Sequence, residues 1–407
     1  MNEPTPDAVT TVIAHLRADP AGFPDVQALA AAADRTVEEL ARAILHRHHL
    51  TPEALMLRAR LAKVEHLLRE DGATLSAAAS AAGFSDRSST ERCFRDAYRI
   101  SPQTFRALDS ATEFEIELPS WLRLEDLRAY WGRDPQSVCE RVEGPASSWA
   151  VRSPGGPLWM SAHLARGRAQ CVLQGPAASQ PGTAFWAHGT LLRLLGLHLD
   201  PRPFENEIAA GPWRKLIAGR LGWTPPQTAT FFDGLVWVIA GQQVSLAAAF
   251  SIRRRLHTAL GEPLGQGLYV PPSAARVAEA GADVLSRHGL TRRKAEYVHA
   301  LAEHLISGDP AWNVESWRWR SAPDIEQQLL ACRGLGPWSV GYLMMRALGF
   351  ADCVPLGDVA LQRKMKQFFA LDERPDNAHT LDYMRPFRPY RSLATFHFWA
   401  LPDSPSG

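Results

Sequence analysis

The sequence predicts a mainly α-helical, multidomain protein with one small α+β unit between two helical parts. The chain has 407 residues, more than a single compact core usually holds. Helical spacing of apolar residues dominates residues 8–108 and 204–400. Short alternating apolar runs fill residues 112–175. We therefore predict domains at residues 1–110, 111–203 and 204–407.

The N-terminal domain contains an internal repeat. Leu50-Thr51-Pro52 recurs fifty residues later as Ile100-Ser101-Pro102. Thr or Ser before Pro is typical of a helix N-cap followed by Pro at the first helical position. Each half reads as a short helix, a turn and a longer helix, and a long helix over 51–70 joins the halves. The predicted pairs cover residues 26–33 with 37–48, and 75–82 with 87–98.

This pattern resembles the tandem helix-turn-helix domain of AraC-type transcription regulators. The residues that carry the resemblance are Arg60-Leu61 in the joining helix, Gly83-Phe84-Ser85-Asp86-Arg87 and Phe94 in the second unit, and the following Ser101-Pro102. It implies a second helix in the major groove, with Arg87, Arg92 and Arg95 contacting bases or phosphates, and promoter DNA as a partner. Arg99 departs from the family, which usually has Gly there. The alternative is a helical domain kept for packing or protein contacts, which its slight acidic excess favours.

The middle part, residues 111–203, predicts a small α+β unit. Strand-like runs cover residues 113–118, 149–152, 158–164 and 169–173. Turn signals such as Gly155-Gly156-Pro157 separate them, and residues 122–131 and 183–197 look helical. The unit resembles the amino-terminal sheet domain of AlkA-type alkylpurine glycosylases.

The C-terminal domain is organised around the stretch from Leu330 to Met365. Gly334-Leu335-Gly336 suits a tight turn between two helices, because glycine tolerates positive φ and lets another backbone approach. The helix that follows would point free N–H groups out of the turn, and such groups bind phosphates. An ordinary helical hairpin is the alternative for this motif alone. Asp358 follows in the apolar and glycine-rich segment Val354-Pro355-Leu356-Gly357-Asp358.

The glycine hairpin, the distance of 22 residues from Gly336 to Asp358 and the apolar, glycine-containing segment before Asp358 together resemble the helix-hairpin-helix DNA glycosylases. Gly241-Gln242-Gln243-Val244-Ser245 and Thr291-Arg292-Arg293-Lys294-Ala295 extend the resemblance to the AlkA-type branch. It implies a DNA-3-methyladenine glycosylase II activity. Such an enzyme hydrolyses the N-glycosidic bond of alkylated purines, of the 3-methyladenine or 7-methylguanine type, in double-stranded DNA during base excision repair. The damaged base would be flipped out of the duplex.

The resemblance also assigns expected roles. Asp358 is the catalytic carboxylate, which stabilises positive charge on the sugar; its alternative is a helix N-cap. Three aromatic residues are expected to form the walls of the base pocket, and their alternative role is core packing. One residue is expected to act as a wedge that enters the DNA duplex, and its alternative role is a polar helix end that faces solvent. The pocket residues are Trp338, Tyr342 and Trp399; the hairpin contacts to the DNA backbone are Gly334, Leu335, Gly336 and Ser339; the wedge is Gln243, with Gln242 beside it.

Trp338 carries one further expectation. Family members that also cut the DNA strand have Lys two residues after the second hairpin glycine, where it forms a Schiff base. Tryptophan cannot do so, and the resemblance therefore implies a glycosylase without abasic-site lyase activity. The whole chain is similar to bacterial Ada–AlkA fusions, but no cysteine precedes Cys93 in this sequence, and we therefore expect no methyl sensing through the cysteine-rich methyl-acceptor segment of those fusions.

Composition excludes several other classes. No Cys pair has the C-x-x-C spacing, and we expect no metal, no cofactor and five buried free thiols in a reducing cytoplasm. His46, His48 and His49 are expected on a solvated helix face. No apolar run is long enough to span a membrane, so we expect a cytoplasmic, nucleoid-associated protein. The alternative function is an AraC-type regulator or DNA-binding scaffold with a silent glycosylase domain.

Overall fold

The computed structural model describes residues 7–70 and 72–402. Backbone contacts divide the chain into two compact units. Unit 1 comprises residues 1–111 with the short segment 319–323, and unit 2 comprises residues 112–318 and 324–407. Within the described ranges, no helix is both long and apolar enough to cross a lipid bilayer.

Unit 1 is helical, and the predicted repeat is present. Its helices are α1 (Ala8–Ala18), α2 (Val26–Ala32), α3 (Val37–His48), α4 (Pro52–Arg69), α5 (Leu75–Ala81), α6 (Arg87–Tyr98) and α7 (Pro102–Arg106). α2–α3 and α5–α6 are the two predicted pairs, and α4 joins them. Thr51 and Ser101 accept backbone hydrogen bonds as N-caps with Pro at the first helical position, as predicted. The caps therefore fix where α4 and α7 begin.

The two halves of unit 1 also end alike. His49 follows α3 and Arg99 follows α6, and both lie in the left-handed region, with φ of 55° and 58°. This conformation explains why glycine is usual at the Arg99 position, since glycine adopts positive φ without strain. The repeat is therefore one of backbone geometry as well as of sequence.

The expectation of a solvated histidine face is wrong for His48. Its side chain is buried, and burial is the main cause that lowers the pKa of His48 to about 4. The apolar core of the first half includes Leu40 and Ile44, and both belong to the same helix as His48. The run of histidines at 46, 48 and 49 thus straddles the boundary between the core and the surface of α3.

Unit 2 begins with the predicted α+β part. Its strands are β1 (Glu113–Glu117), β2 (Glu140–Glu143), β3 (Ala146–Ser153), β4 (Gly156–Ala165) and β5 (Arg168–Gln174). They form an antiparallel sheet in the order β1-β5-β4-β3-β2. α8 (Leu124–Trp131) lies between β1 and β2 in sequence, and α9 (Thr183–Leu194) follows β5. Alternation along β1 buries Phe114 and Ile116 and exposes the glutamates between and beside them.

The remainder of unit 2 is a helical domain. Its helices are α10 (Arg202–Ala210), α11 (Phe231–Gly241), α12 (Leu246–Leu260), α13 (Ala274–Arg287), α14 (Arg292–Ile306), α15 (Ala322–Leu330), α16 (Pro337–Arg346), α17 (Val359–Phe368), α18 (Asn377–Met384) and α19 (Arg391–Trp399). An aromatic-rich core that includes Phe204, Phe387 and Phe398 packs α10, α17 and α19 together. That core supports the helix ends from which the candidate site is built.

Residues 204–400 are less uniformly helical than predicted, because they contain a small hairpin. It consists of β6 (Glu262–Gly265) and β7 (Leu268–Val270). These strands are too short and too rich in Gly and Pro to show periodicity. The hairpin is held instead by tertiary contacts: the Tyr269 N–H donates to the Val138 carbonyl at 2.8 Å, and Arg152 pairs with Glu262 at 2.7 Å. The α+β part and the helical part therefore share one contact unit, and the boundary at residues 203/204 stays a prediction.

Candidate active site and DNA-binding residues

The predicted hairpin lies between α15 and α16. Gly334 has a φ of +91°, and a Cβ built on it would lie 2.2 Å from the Tyr297 ring. Both facts require glycine at this position. Gly336 differs, because its φ is −101° and a Cβ there would meet nothing within 4 Å. Gly336 precedes α16, whose N-terminus has no side-chain cap. The first turn of α16 begins with Pro337, which has no N–H, and the N–H groups that follow it have no side-chain cap.

The other two hairpin residues are buried by their side chains. Leu335 is packed inside, and the Ser339 hydroxyl accepts a hydrogen bond from Gln242 Nε2 at 3.0 Å. Gln242 Nε2 also donates to the Gly334 carbonyl at 2.8 Å. Any contact of Leu335 or Ser339 with DNA would therefore use the backbone.

The proposed wedge lies in the turn between α11 and α12. Gln243 is exposed at a left-handed φ of 54°, whereas Gln242 is half-buried and tied to the hairpin. Lys294 anchors the same turn, since its Nζ donates to the carbonyls of Ala240 and Gln242 at 3.1 and 2.6 Å. Burial lowers the pKa of Lys294. The turn, the hairpin and the start of α14 are thus held as one body, from which Gln243 projects.

Asp358 and the three predicted pocket aromatics come together. Asp358 is the N-cap of α17, and its Oδ1 accepts from the Leu361 N–H at 2.7 Å. Oδ1 also accepts from Trp399 Nε1 at 3.1 Å, and Oδ2 accepts from Trp338 Nε1 at 2.8 Å. Tyr342 lies between the two indoles, with ring centroids 5.8 Å from Trp338 and 6.1 Å from Trp399. The cap role is therefore real, and the carboxylate is also bonded to a cluster of three aromatic residues.

Two features hold the Asp358 segment in place. Gly341, inside α16, lies against it so closely that a Cβ would stand 2.3 Å from the Val354 carbonyl oxygen. Buried Asp352 binds Arg391 at the start of α19 through two bonds of 2.7 Å. Because α19 ends at Trp399, this ion pair fixes the approach of that indole to Asp358. The site is thus built from three separate stretches of chain.

Behind Tyr342 lies a small cavity that sequence reasoning did not find. Its volume is about 70 Å³, room for a few water molecules, and Asp358 does not line it. Trp237 Nε1 donates to the Tyr342 hydroxyl at 3.0 Å in this region. Burial raises the pKa of Tyr342, so its phenol stays protonated. Arg346, one turn after Tyr342, is buried and donates to the Pro226 carbonyl at 2.7 Å and to the Tyr130 hydroxyl.

Trp237, Tyr130 and Arg346 are therefore neighbours of the site that the sequence did not predict. Of these three residues, only Arg346 could have been predicted from the sequence, because it follows Trp338 and Tyr342 at a spacing of four residues and so lies on the same helix face. Tyr130 comes from α8 and Trp237 from α11, far away in sequence. Their position depends on tertiary packing that no local pattern encodes.

The three predicted arginines of the helix-turn-helix all lie on α6 and are exposed. Arg92 and Arg95 share one face, three residues apart, while Arg87 begins the helix. Arg95 pairs with Glu91 at 3.1 Å. Thr90 and Phe94 are the residues of α6 that face the core. The helix thus presents its basic residues outward, as a groove-binding helix must.

Thiols and possible metal ligands show no catalytic arrangement. All five cysteines are free; Cys139, Cys171 and Cys353 are buried as expected, but Cys93 and Cys332 are half-buried. Over residues 7–70 and 72–402, no group of three or more His, Cys, Asp or Glu side chains could hold a metal ion.

Two protein families match parts of this chain. Residues 236–389 match the HhH-GPD superfamily base excision DNA repair proteins, and residues 29–108 match a helix-turn-helix domain family. The first range contains the hairpin, Trp338, Tyr342 and Asp358. The second contains α6 and both halves of the repeat except the first residues of α2. The predicted pairing of these two domain types is confirmed.

Individual relatives cover either part of this chain or nearly all of it. A Bacillus subtilis DNA-3-methyladenine glycosylase is 29% identical over 204 residues, covering 49% of this chain and 67% of the relative. The probable bifunctional transcriptional activator/DNA repair enzyme AlkA of Mycobacterium tuberculosis is 27% identical over 400 residues, covering 93% of this chain and 77% of the relative. A 3-methyladenine DNA glycosylase from Archaeoglobus fulgidus has a TM-score of 0.61 at 18% identity, covering 70% of this chain and 97% of its own, which shows a shared fold.

Proposed function

We propose that this chain, which matches a helix-turn-helix family and the HhH-GPD base excision repair family in succession, excises alkylated purines from duplex DNA by hydrolysis. The observation that carries the proposal is the Asp358 carboxylate, held by two indole N–H groups at the edge of an aromatic cluster. A flipped purine fits between flat aromatic walls, and a cationic alkylpurine gains cation–π attraction from indole and phenol rings.

Asp358 supplies the charge that the reaction needs. Breaking the N-glycosidic bond sends its electron pair to the base and leaves positive charge on the sugar, which a nearby carboxylate stabilises. A carboxylate has about four lone-pair sites, and three N–H donors approach Asp358 from Leu361, Trp338 and Trp399. The remaining site can orient the attacking water. The three donors also prevent the carboxylate from rotating away from the sugar.

Trp338 determines the second part of the proposal, that the enzyme does not cut the strand. Its indole is hydrogen-bonded to Asp358 and cannot form a Schiff base with the sugar. The product would be free base and an intact strand with an abasic site. The hairpin N–H groups at the start of α16 would bind the DNA backbone beside the flipped nucleotide.

For unit 1 we propose duplex binding through Arg87, Arg92 and Arg95 of α6. These residues are exposed on the second helix of a helix-turn-helix, the helix that enters the major groove in this motif. A preference of unit 1 for one DNA sequence would indicate promoter binding, and equal binding to all sequences would indicate general duplex binding. Footprinting on the chain's own upstream region, against random duplex of equal length, distinguishes the two.

The experiment that tests the enzymatic proposal is the formation of abasic sites in alkylated plasmid DNA by the purified full chain. We expect alkali-labile sites to accumulate with time in alkylated but not in untreated plasmid. Sequence-specific binding without any increase in such sites would contradict the proposal and favour a regulator with a silent glycosylase domain.

A further inference from the structure

Unit 1 is completed by a short segment from far along the chain. Residues 319–323 belong to unit 1 by their backbone contacts, although the rest of that unit ends at residue 111. Trp319 packs against the apolar core of the first half of unit 1, the core that includes Leu16 of α1. The Arg17 guanidinium lies over the same indole, with its carbon 5.8 Å from the ring centroid. Because an indole face attracts a cation, apolar packing and charge both hold Trp319 against α1.

The chain is anchored on both sides of this segment. Trp317 precedes it, is fully buried within unit 2 and packs edge-on against Phe231 with ring centroids 5.2 Å apart. Ile325 follows it and is fully buried in unit 2 as well. A short segment between two fixed points loses little further conformational entropy when it docks, so even a half-buried tryptophan can hold α1 effectively.

The end of α1 leads into a corner that supports the second helix pair. Arg17 is the penultimate residue of α1, and the short 3₁₀ helix Pro20–Gly22 follows. Gly83, in the turn between α5 and α6, lies against that 3₁₀ helix: a Cβ built on it would stand 2.8 Å from the Ala21 Cα. Arg60 of α4 fixes the same corner by donating to two backbone carbonyls just after it, each at 2.9 Å. The turn before α6 is therefore supported by the corner that follows α1.

We propose that Trp319 is a positioning residue for the DNA-binding helix α6. It holds the end of α1, and the corner at Pro20–Gly22 passes that position on to the turn before α6. The inference rests on the duplex binding proposed for unit 1 and names a further part of the chain on which that binding depends. It implies that the helix-turn-helix is complete only in a chain that carries residues 319–323.

Loss of the indole acts on order and leaves the charge of α6 as it is. Without Trp319, apolar surface of the first-half core meets water, and less free energy is needed to open α1 locally. A loosened corner then lets the turn at Gly83 and α6 adopt orientations that do not fit a groove. Apparent affinity falls with the fraction of molecules in which α6 is correctly held.

The first measurement is amide hydrogen exchange of the full chain without DNA. In Trp319→Ala the amides of α1 should exchange at least about tenfold faster than in wild type, whereas those of α11 in unit 2 should keep their rates. Trp319→Phe retains an aromatic ring and should recover most of the protection. Trp312→Ala is the matched control, because Trp312 is also half-buried but stacks on His304 in unit 2, with ring centroids 4.9 Å apart. It should leave α1 unchanged.

The second measurement is binding of an undamaged duplex at several salt concentrations. Arg92→Ala should lower the salt slope of the otherwise wild-type chain by about one. In the Trp319→Ala background the same substitution should lower it by less than about half as much, because α6 is no longer held against the phosphates. Single-turnover excision at saturating enzyme should be equal in Trp319→Ala and wild type. A general loss of structure would lower both excision and binding.

Each outcome decides a different point. Wild-type exchange of α1 in Trp319→Ala overturns the docking of the indole, and faster exchange with an undiminished Arg92 effect overturns the positioning of α6. Equal losses of excision and duplex binding also overturn the inference. If Trp319→Ala does not fold, Arg17→Gln decides: its α1 amides should exchange about two- to fivefold faster, and unchanged exchange contradicts the inference. A wild-type salt slope in Arg92→Ala alone refutes instead the duplex binding proposed for unit 1.

Discussion

Replacing Asp358 by Asn removes one negative charge from the site while keeping its shape. Asn is as good an N-cap as Asp, so the bond from the Leu361 N–H to Oδ1, 2.7 Å long, should persist and α17 should still begin at the same place. The side chain has only one oxygen, however. Because Trp399 shares Oδ1 with the Leu361 N–H, it is the indole of Trp338, the partner of Oδ2, that must then face an NH₂ group in place of an acceptor.

The expected magnitudes follow from these contacts. Leaving one indole donor without an acceptor should lower the free energy of unfolding by about 1–3 kcal/mol. The catalytic loss should be larger. A carboxylate about 4 Å from the charged sugar carbon contributes about 4 kcal/mol at an effective dielectric constant of about 20, which corresponds to roughly a thousandfold in rate. Affinity for a duplex with an abasic-site analogue should change little.

Single-turnover excision from alkylated duplex, thermal unfolding and duplex binding together check this prediction. Asp376→Asn is the matched control, because Asp376 also caps a helix of unit 2 through a bond to the His379 N–H at 2.9 Å but has no indole partner. It should excise at the wild-type rate. A folded Asp358→Asn chain with near-normal excision would refute the catalytic role. Loss of activity only in proportion to lost folding would leave Asp358 with the cap role alone.

Three other predictions concern the strand, the hairpin and unit 1. Products of wild-type excision should be intact abasic strands that break only after alkali treatment, and borohydride trapping of a protein–DNA adduct would contradict the role given to Trp338. Gly334→Ala should lower the free energy of unfolding by about 2–4 kcal/mol, because it combines a strained φ with a Cβ 2.2 Å from Tyr297, whereas Gly336→Ala should cost less than about 1 kcal/mol. Equal melting temperatures for the two variants would disprove that reading of the turn. Arg92→Ala in the full chain should weaken duplex binding and lower its salt slope by about one, and an unchanged slope at several salt concentrations would mean that α6 does not contact phosphates.

Local sequence signals predicted the parts of the site that depend on local geometry. Gly334 and Gly336 marked the turn, and Thr51 and Ser101 marked helix starts, because turns and caps use particular residue types. Trp338 and Tyr342 were recognised as one face by their spacing. The grouping of Asp358 with Trp399, 41 residues apart, came from family resemblance, and the structure shows its physical basis in the hydrogen bond between them.

The remaining features depend on contacts between distant segments. The sequence around Arg346 is that of an ordinary helical arginine, whereas its guanidinium donates to the Pro226 carbonyl and the Tyr130 hydroxyl, which come from distant segments. The β6–β7 hairpin owes its position to the larger sheet, and His48 owes its burial to the packing of α3. Gln242 was expected beside the wedge but is bound to the hairpin. Such contacts leave no periodic trace in the sequence, because each is made by a single side chain.

Chromatography of the bases that the full chain releases from methylated duplex DNA tests the central claim most directly. The account predicts free 3-methyladenine in the soluble fraction, increasing with time under single-turnover conditions. It also predicts no adenine from unmethylated duplex and at most about a thousandth of the wild-type rate from Asp358→Asn. Methylated DNA that retains all its damaged bases after incubation with folded, DNA-binding protein would contradict the account.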